Sequence, residues 1–224
     1  MIKLTNNLSE SLQIICTTWL LRDYAVMSRK VVNPIIVDIG SHIGISALYF
    51  NHRHPSANIH CYEPNPHTFS ILKNNTKNIK NIKINNSAVH DFDGTTNLHL
   101  GDVAWGNSIV DKTSKSTVSV KVVSVSKICQ KHVDLLKLDS EGSEFAIIEE
   151  LHKSGKIKNI DRIVMEYHCR VNDNNRLKQT LSTLKKNKFK YSLGHDIRLL
   201  KVKEADLLKN NKPKHDFLII AAWR

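Results

Sequence analysis

The sequence predicts an α/β domain with a largely parallel sheet and helices on both faces. Three observations carry this. Short apolar runs such as Ile35-Ile36-Val37, Val133 to Leu138 and Ile160 to Met165 alternate with stretches of helical periodicity, and a strand buried on both faces reads as such a run. Gly, Pro and Asn punctuate the joins. Acids stand where successive runs end, at Asp38, Glu63, Asp139 and Glu166. In an open α/β sheet the ligand lies at the carboxyl ends of the strands, near the point where strand order reverses.

The elements follow in order. Leu8, Leu12, Ile15 and Trp19 form one apolar stripe, so a helix is expected from Leu8 to about Lys30. It either packs on the domain or serves as a lid over a cleft. Pro34 precedes the first strand, and Gly40-Ser41-His42-Ile43-Gly44 turns the chain into a helix from Ile45 to Asn51. A second strand, Ala57 to Tyr62, ends at Glu63. Pro64-Asn65-Pro66 then opens another helix, with Pro66 in its first turn. Ile82 to Ile84 reads as a third strand. Asp93-Gly94 is a turn signal, and Thr96 to Leu100 and Thr117 to Val125 alternate as short strands or an inserted hairpin do. After the strand ending at Asp139, Glu141-Gly142 leads into a helix bearing Phe145, Ile148 and Leu151. The strand from Ile160 runs up to Glu166-Tyr167-His168. A helix from Asn175 to Lys188 and strands Lys190 to Leu193 and Asp216 to Trp223 close the chain.

The chain has 224 residues, 41% of them hydrophobic and 24% charged, which suits one domain with a buried core. Its net charge of +12 favours anionic partners without choosing among nucleic acid, phosphorylated metabolites and acidic membranes. Cys16, Cys61, Cys129 and Cys169 are far apart, which argues against a zinc site or disulfide scaffold and for a reducing, cytoplasmic setting. The longest apolar run, Ile14 to Leu21, falls short of the roughly 20 residues that span a bilayer. Glu10 and the lack of a basic start argue against a signal peptide.

Two features point to a nucleoside ligand: a Gly-containing turn directly after a strand, and Glu63 at the end of the next strand, placed to accept from a ribose diol. The turn Asp38-Ile39-Gly40-Ser41-His42-Ile43-Gly44 lacks the G-x-G-x-x-G spacing of a dinucleotide site, and Asp38 would repel a pyrophosphate. No Walker A pattern occurs. S-adenosylmethionine, which has a sulfonium, an ammonium and a ribose but no phosphate, suits these residues, with Gly40 leaving room for close backbone approach.

Three segments together resemble the FkbM family of S-adenosylmethionine-dependent methyltransferases. They are Val37 to Gly44, Tyr62-Glu63-Pro64-Asn65-Pro66, and Leu136-Lys137-Leu138-Asp139-Ser140-Glu141-Gly142-Ser143-Glu144. Matching pieces run from about Ile35 to Tyr167, including Ser87-Ala88, Asp93-Gly94 and Gly106-Asn107-Ser108. The family usually has Asn where His42 stands and a hydrophobic residue where Ser140 stands. The resemblance implies a class I methyltransferase fold, Rossmann-like, with a seven-stranded mostly parallel sheet and an antiparallel last strand. Residues 34–224 would form that domain and residues 1–33 an N-terminal helical segment.

It also implies methyl transfer, most often to a hydroxyl of a sugar, glycan or small metabolite. Carried onto this sequence, Asp38, Gly40, Ser41, His42 and Gly44 would line the methionine end. Glu63 would hold the ribose, and Ser87 and Ala88 would border the adenine. Asp139 and Glu141 would sit beside the sulfonium and the acceptor. A hydroxyl acceptor must lose a proton, and Asp139, Glu141 and His168 are the candidate bases. His168 is preferred, because an unperturbed imidazole titrates near neutral pH. Asp139, Glu141, Glu166 and His168 could instead ligate a divalent ion, but acids beside a sulfonium need none, and no metal is expected. The charge favours an anionic acceptor. The alternatives are a nucleic-acid methyltransferase, for which the acidic 139–142 turn is a poor neighbour of phosphates, and a binding module that keeps the fold without chemistry.

Overall fold

The computed structural model describes residues 2–4, 11–12, 15–20, 31–101, 107–110, 116–168, 174–194 and 217–224. Much of the expected N-terminal helix, Gly106, Cys169 and the whole 195–216 segment lie outside these residues.

Among the described residues, ten strands form two sheets. The main one contains β1 (Ile35–Ile39), β2 (Asn58–Tyr62), β3 (Ile82–Asn85), β7 (Leu135–Leu138), β8 (Arg162–His168), β9 (Lys190–Gly194) and β10 (Phe217–Trp223). Their order is β3-β2-β1-β7-β8-β10-β9. All the pairs from β3 to β8 are parallel, and β10 runs antiparallel to both β8 and β9. The last strand of the chain is therefore the reversed one. Strand order reverses between β1 and β7, so the switch point falls between Asp38 and Asp139.

The alternating middle segment forms its own sheet, not a simple hairpin. β4 (Ala88–His90), β6 (Thr117–Ser124) and β5 (Gly94–His99) pair in that order. β6 is antiparallel to β5 and parallel to β4, so the residues after β3 already belong to the second sheet.

Helices cover both faces of the main sheet. On one face lie α1 (Ile45–Arg53) and α2 (Pro66–Thr76), with Ala47, Phe50 and Leu72 packed on Ile36, Ile59 and Leu135. The other face carries a short helix α3 (Val125–Ile128), α4 (Glu144–Lys153) and α5 (Asn174–Lys186). There Ile148, Leu181 and Leu184 meet Val37, Leu138 and Met165. Local chemistry starts α2 where the sequence predicts. The Asn65 side chain accepts from the backbone N–H groups of His67 and Thr68, and Pro66 occupies the first turn, where no N–H is needed. A turn of helix at Lys156–Asn159 was not legible from the sequence, because four residues are too few to show a period.

The described part of the N-terminal segment packs against α1. The Trp19 ring stands edge-on to Tyr49 with centroids 5.7 Å apart. Leu4, Ile15 and Trp19 adjoin Ile43, Ile45 and Ile71. Asn75 anchors the chain start to the glycine turn, receiving the Lys3 N–H and donating to the Lys3 and Ile43 carbonyls. No helix among the described residues is long and apolar enough to cross a membrane.

Candidate functional site

The two switch-point strands end in interlocked turns. β1 runs through Ile39, which pairs with Tyr62 on one side and Leu138 on the other. Asp38 is therefore an in-strand residue, 0% exposed, and does not stand at the mouth of the turn as the sequence suggests. Its carboxylate accepts the Ser46 hydroxyl at 2.6 Å, fixing the first turn of α1, and lies 3.5 Å from the Lys137 ammonium. Any pull it exerts on a ligand is through the field.

Gly40 also has a different reason from the expected one. A Cβ built there would sit 1.7 Å from the Asp139 carbonyl oxygen. The space a side chain would need is filled by the β7 turn, not kept for a ligand. Gly44, at φ 91°, would put its Cβ 2.7 Å from Leu72 of α2. Both glycines thus close the fold around the site, and both adopt left-handed conformations.

Between them His42 sits at φ 49°, uncommon for a residue with a side chain. Asn and His are both enriched in that conformation, so a His where the family has Asn suits the backbone. The His42 N–H donates to Glu63 Oε2 at 3.0 Å, and the Asn65 N–H donates to Oε1 at 2.9 Å. Burial pushes the Glu63 carboxyl up to about 7, against those two bonds. Each Glu63 oxygen retains further acceptor capacity, which a vicinal diol can use. Ser41 ties the same strands together, donating to the Asp38 carbonyl and accepting from the Tyr62 N–H. Ser87 and Ala88, both buried, lie where the chain passes from β3 into β4.

The second half of the site is built around Glu144, whose role is not legible in the sequence. Its Oε1 accepts from the Ser140 N–H and hydroxyl at 3.0 Å each and from the Gly142 N–H at 3.1 Å, which shapes the turn after β7. Ser140, a departure from the family pattern, is thereby a partner of Glu144. Glu141 and Gly142 take positive φ values of 54° and 105° in this turn, and the Ser108 hydroxyl holds the Glu141 carbonyl at 2.6 Å.

The same Glu144 oxygen lies 3.2 Å from His168 Nδ1. His168 Nε2 is 3.2 Å from Glu141 and 3.9 Å from Glu166. Burial opposes charge on this ring, but the bond to Glu144 and the charges of Glu144, Glu141 and Asp139 outweigh it and raise the ring to about 10. These charges favour the imidazolium form of His168, which counts against it as general base, since a base needs a free lone pair. One ligand atom each of Asp139, Glu141 and His168 lie within 4.8 Å of one another, and a metal there would have to displace the His168 proton.

The His168–Glu144 pair makes a pH prediction. The ring's folded value lies above its usual 6.5, and burial's upward push on Glu144 is outweighed by the bonds from His168 and the turn, so its carboxyl is lowered from 4.5. The pair's contribution is lost as pH falls through the low Glu144 value, and again as pH rises from 6.5 toward about 10. Glu144→Gln should therefore destabilise most in mildly acidic buffer, with the difference from the natural chain shrinking toward pH 10. Thermal unfolding across that range measures it, and a constant difference would contradict the pairing.

Glu141 and Glu166 are each pushed well above the usual carboxylate range, chiefly by burial, with neighbouring carboxylates adding to it and His168 opposing. The chain is +12, yet Asp38, Glu63, Asp139, Glu141, Glu144 and Glu166 gather at this end of the sheet. The cations that the described residues bring against them are Lys137 and His168. Among the described residues the acids outnumber the cations at this end, which suits a cationic ligand.

The structure brings together all the residues singled out as candidate strand-end groups. Glu63 and Asp139 stand just past their strands; Asp38 and Glu166 lie one and two residues inside. Lys137 and Glu144 are the participants given no role, though a lysine inside an apolar strand was a visible signal for the first.

Comparisons with known proteins agree with this architecture. The profile of the methyltransferase FkbM domain matches residues 38–200. Methyltransferase 1 of Beauveria bassiana is 27% identical over an alignment of 146 positions, and the match covers 53% of this chain and 59% of that protein. The chain thus spans less than two thirds of that relative's length. Among solved structures, precorrin-6y C5,15-methyltransferase of Geobacter metallireducens superposes with a TM-score of 0.51 at 12% identity, covering 100% of this chain and 93% of that one. Fibrillarin of Aeropyrum pernix, crystallised with S-adenosylmethionine, gives 0.51 at 14% identity over 94% of this chain and 74% of that one. At these identities the likeness to solved structures concerns the fold. The profile match covers well over half the chain: it belongs to the FkbM methyltransferase family.

Proposed function

We propose that the chain methylates a hydroxyl of a sugar, glycan or other small metabolite, with S-adenosylmethionine as donor. The observation that carries the reading is the acidic end of an otherwise basic molecule, with Glu63 presenting unused acceptor capacity one strand away. The donor set fits: carboxylates for a cationic head and an acceptor for a diol. When bound, the cofactor supplies an electrophilic methyl on a sulfonium.

The residues do the rest. Glu63 orients the ribose, Ser87 and Ala88 border the adenine, and the 40–44 turn lines the methionine end. Asp139 and Glu141 face the acceptor. Much of the rate comes from holding the reactants collinear at contact distance. The hydroxyl proton passes to the Glu141 carboxylate, whose raised basicity suits that role, while His168 holds the Glu141 side chain in place.

Glu63 gives a pH dependence. Its carboxyl lies near 7 without ligand, and a diol binds the ionised form better. Cofactor affinity should rise about tenfold from pH 6 to pH 8. Glu63→Gln should weaken binding about 10- to 100-fold and flatten that rise. Calorimetry at three pH values tests both, and a Glu63→Gln chain with unchanged affinity would exclude the ribose role.

The acceptor is tested by labelled-methyl transfer into a metabolite extract and, in parallel, into total RNA, read by mass spectrometry. Label in a hydroxylated metabolite supports the reading. Label in RNA, retained at moderate salt, would replace it with nucleic-acid methylation. Cofactor binding with no label anywhere would leave a binding module.

A further inference from the structure

Lys137 lies in the middle of the apolar run Leu135-Leu136-Lys137-Leu138 and is 2% exposed. The proposed chemistry does not use it. Burying an ammonium is costly unless acceptors and counter-charges are held close, and here they are. Nζ donates to the Gly40 carbonyl at 2.6 Å and to the Ile39 carbonyl at 3.3 Å. It lies 3.3 Å from the Asp139 carboxylate and 3.5 Å from that of Asp38. Asp38 is its in-register partner on β1. One cation therefore grips the turn after β1 and the acid after β7 together.

Its field reaches further. Burial dominates the upward shifts at Glu63, Glu141 and Glu166, and the Lys137 charge opposes burial at all three. His168 lies against Glu144, Glu141 and Glu166 on the β8 side. Lys137 is the cation in contact with Asp38 and Asp139, at the switch point itself.

We propose that Lys137 is a specificity-determining residue, whose charge offsets part of the acidic field and so limits how far the site prefers the sulfonium cofactor over the neutral thioether left after transfer. The inference rests on the proposed function and deepens it. The two ligands share a nucleoside and an amino acid and differ by one methyl and one charge. Contacts to the shared parts cannot separate them. What separates them is the potential at the sulfur, and that potential is a sum over nearby fixed charges. Carboxylates without Lys137 would favour the cation strongly. Carboxylates with Lys137 favour it mildly.

Calorimetry on the full chain, with S-adenosylmethionine and S-adenosylhomocysteine in mildly alkaline buffer where the carboxyls are ionised, tests this. The natural chain should prefer the cofactor by less than about tenfold. Lys137→Met should raise the preference by about five- to twentyfold, whatever it does to both affinities together. The double variant Lys137→Met with Asp38→Asn, which restores the charge count, should return the preference to within about threefold of the natural value. If Lys137→Met weakens both ligands by the same factor, the lysine is a strut only and the proposal is overturned. A natural chain that already prefers the cofactor by more than about a hundredfold overturns it too, and that result needs no variant to fold. Failure of both ligands to bind the natural chain would instead remove the proposed function, and this inference with it.

Discussion

Gly40→Ala is expected to destabilise the protein by roughly 3–4 kcal/mol, the range of severe packing defects. For a chain of this size that lowers the melting temperature on the order of 10 °C. The cause is specific. At φ 75° an alanine pays a left-handed backbone penalty, and its Cβ would overlap the Asp139 carbonyl at 1.7 Å. That carbonyl is backbone, so no side-chain rotation relieves the overlap; β1 and β7 must move apart. Lys137, which bonds the Gly40 carbonyl, and the Asp139 N–H, which donates to Ile39, would be pulled with them. Cofactor binding should fall with stability, because the displaced turn carries the His42 N–H that holds Glu63. Gly155→Ala is the matched control. Gly155 has φ 69° and nothing within 4 Å of its Cβ position, so only the conformational cost remains, about 1–2 kcal/mol. Differential scanning calorimetry of both chains separates overlap from strain, and equal losses would remove the interlock as an explanation.

Asp139→Ala should reduce methyl transfer by at least about 10²-fold, the usual loss when a preorganised charge beside reacting atoms is removed. The backbone carbonyl that meets Gly40 is retained in the variant, so the interlocked turns stay in place. What is lost is a carboxylate that is 24% exposed and paired with Lys137 at 3.3 Å. The stability change should be modest, since Lys137 keeps Asp38 and two carbonyls. Initial rates and cofactor affinity, measured together, check this. Near-normal turnover with near-normal affinity would end the assignment of Asp139 to the reacting centre.

Most of the architecture was legible because its signals are local. Apolar runs of four to six residues, a Pro or Gly at each join and Asn65 before a helix can be read within a few positions of one another. The second sheet was only partly legible. Alternation over 96–100 and 117–125 announced two strands, which form at 94–99 and 117–124, but nothing local says that β6 takes β4 as a parallel partner. The site divided the same way. Glu63 and Asp139 announced themselves by standing at strand ends. Glu144 did not, because a glutamate in a first helical turn looks like one more N-terminal acid.

By itself the sequence determined the alternation of strands and helices, the turns, and the acids gathered at the carboxyl ends, since each depends on residues near one another in the chain. Only the tertiary structure decided the state of those acids. Asp38 meets Lys137 through register across ninety-odd intervening residues, and His168 meets Glu144 because β8 lies beside β7. A side chain's charge depends on what surrounds it in space, so a histidine that reads as a near-neutral base in the chain is pushed toward its charged form in the fold.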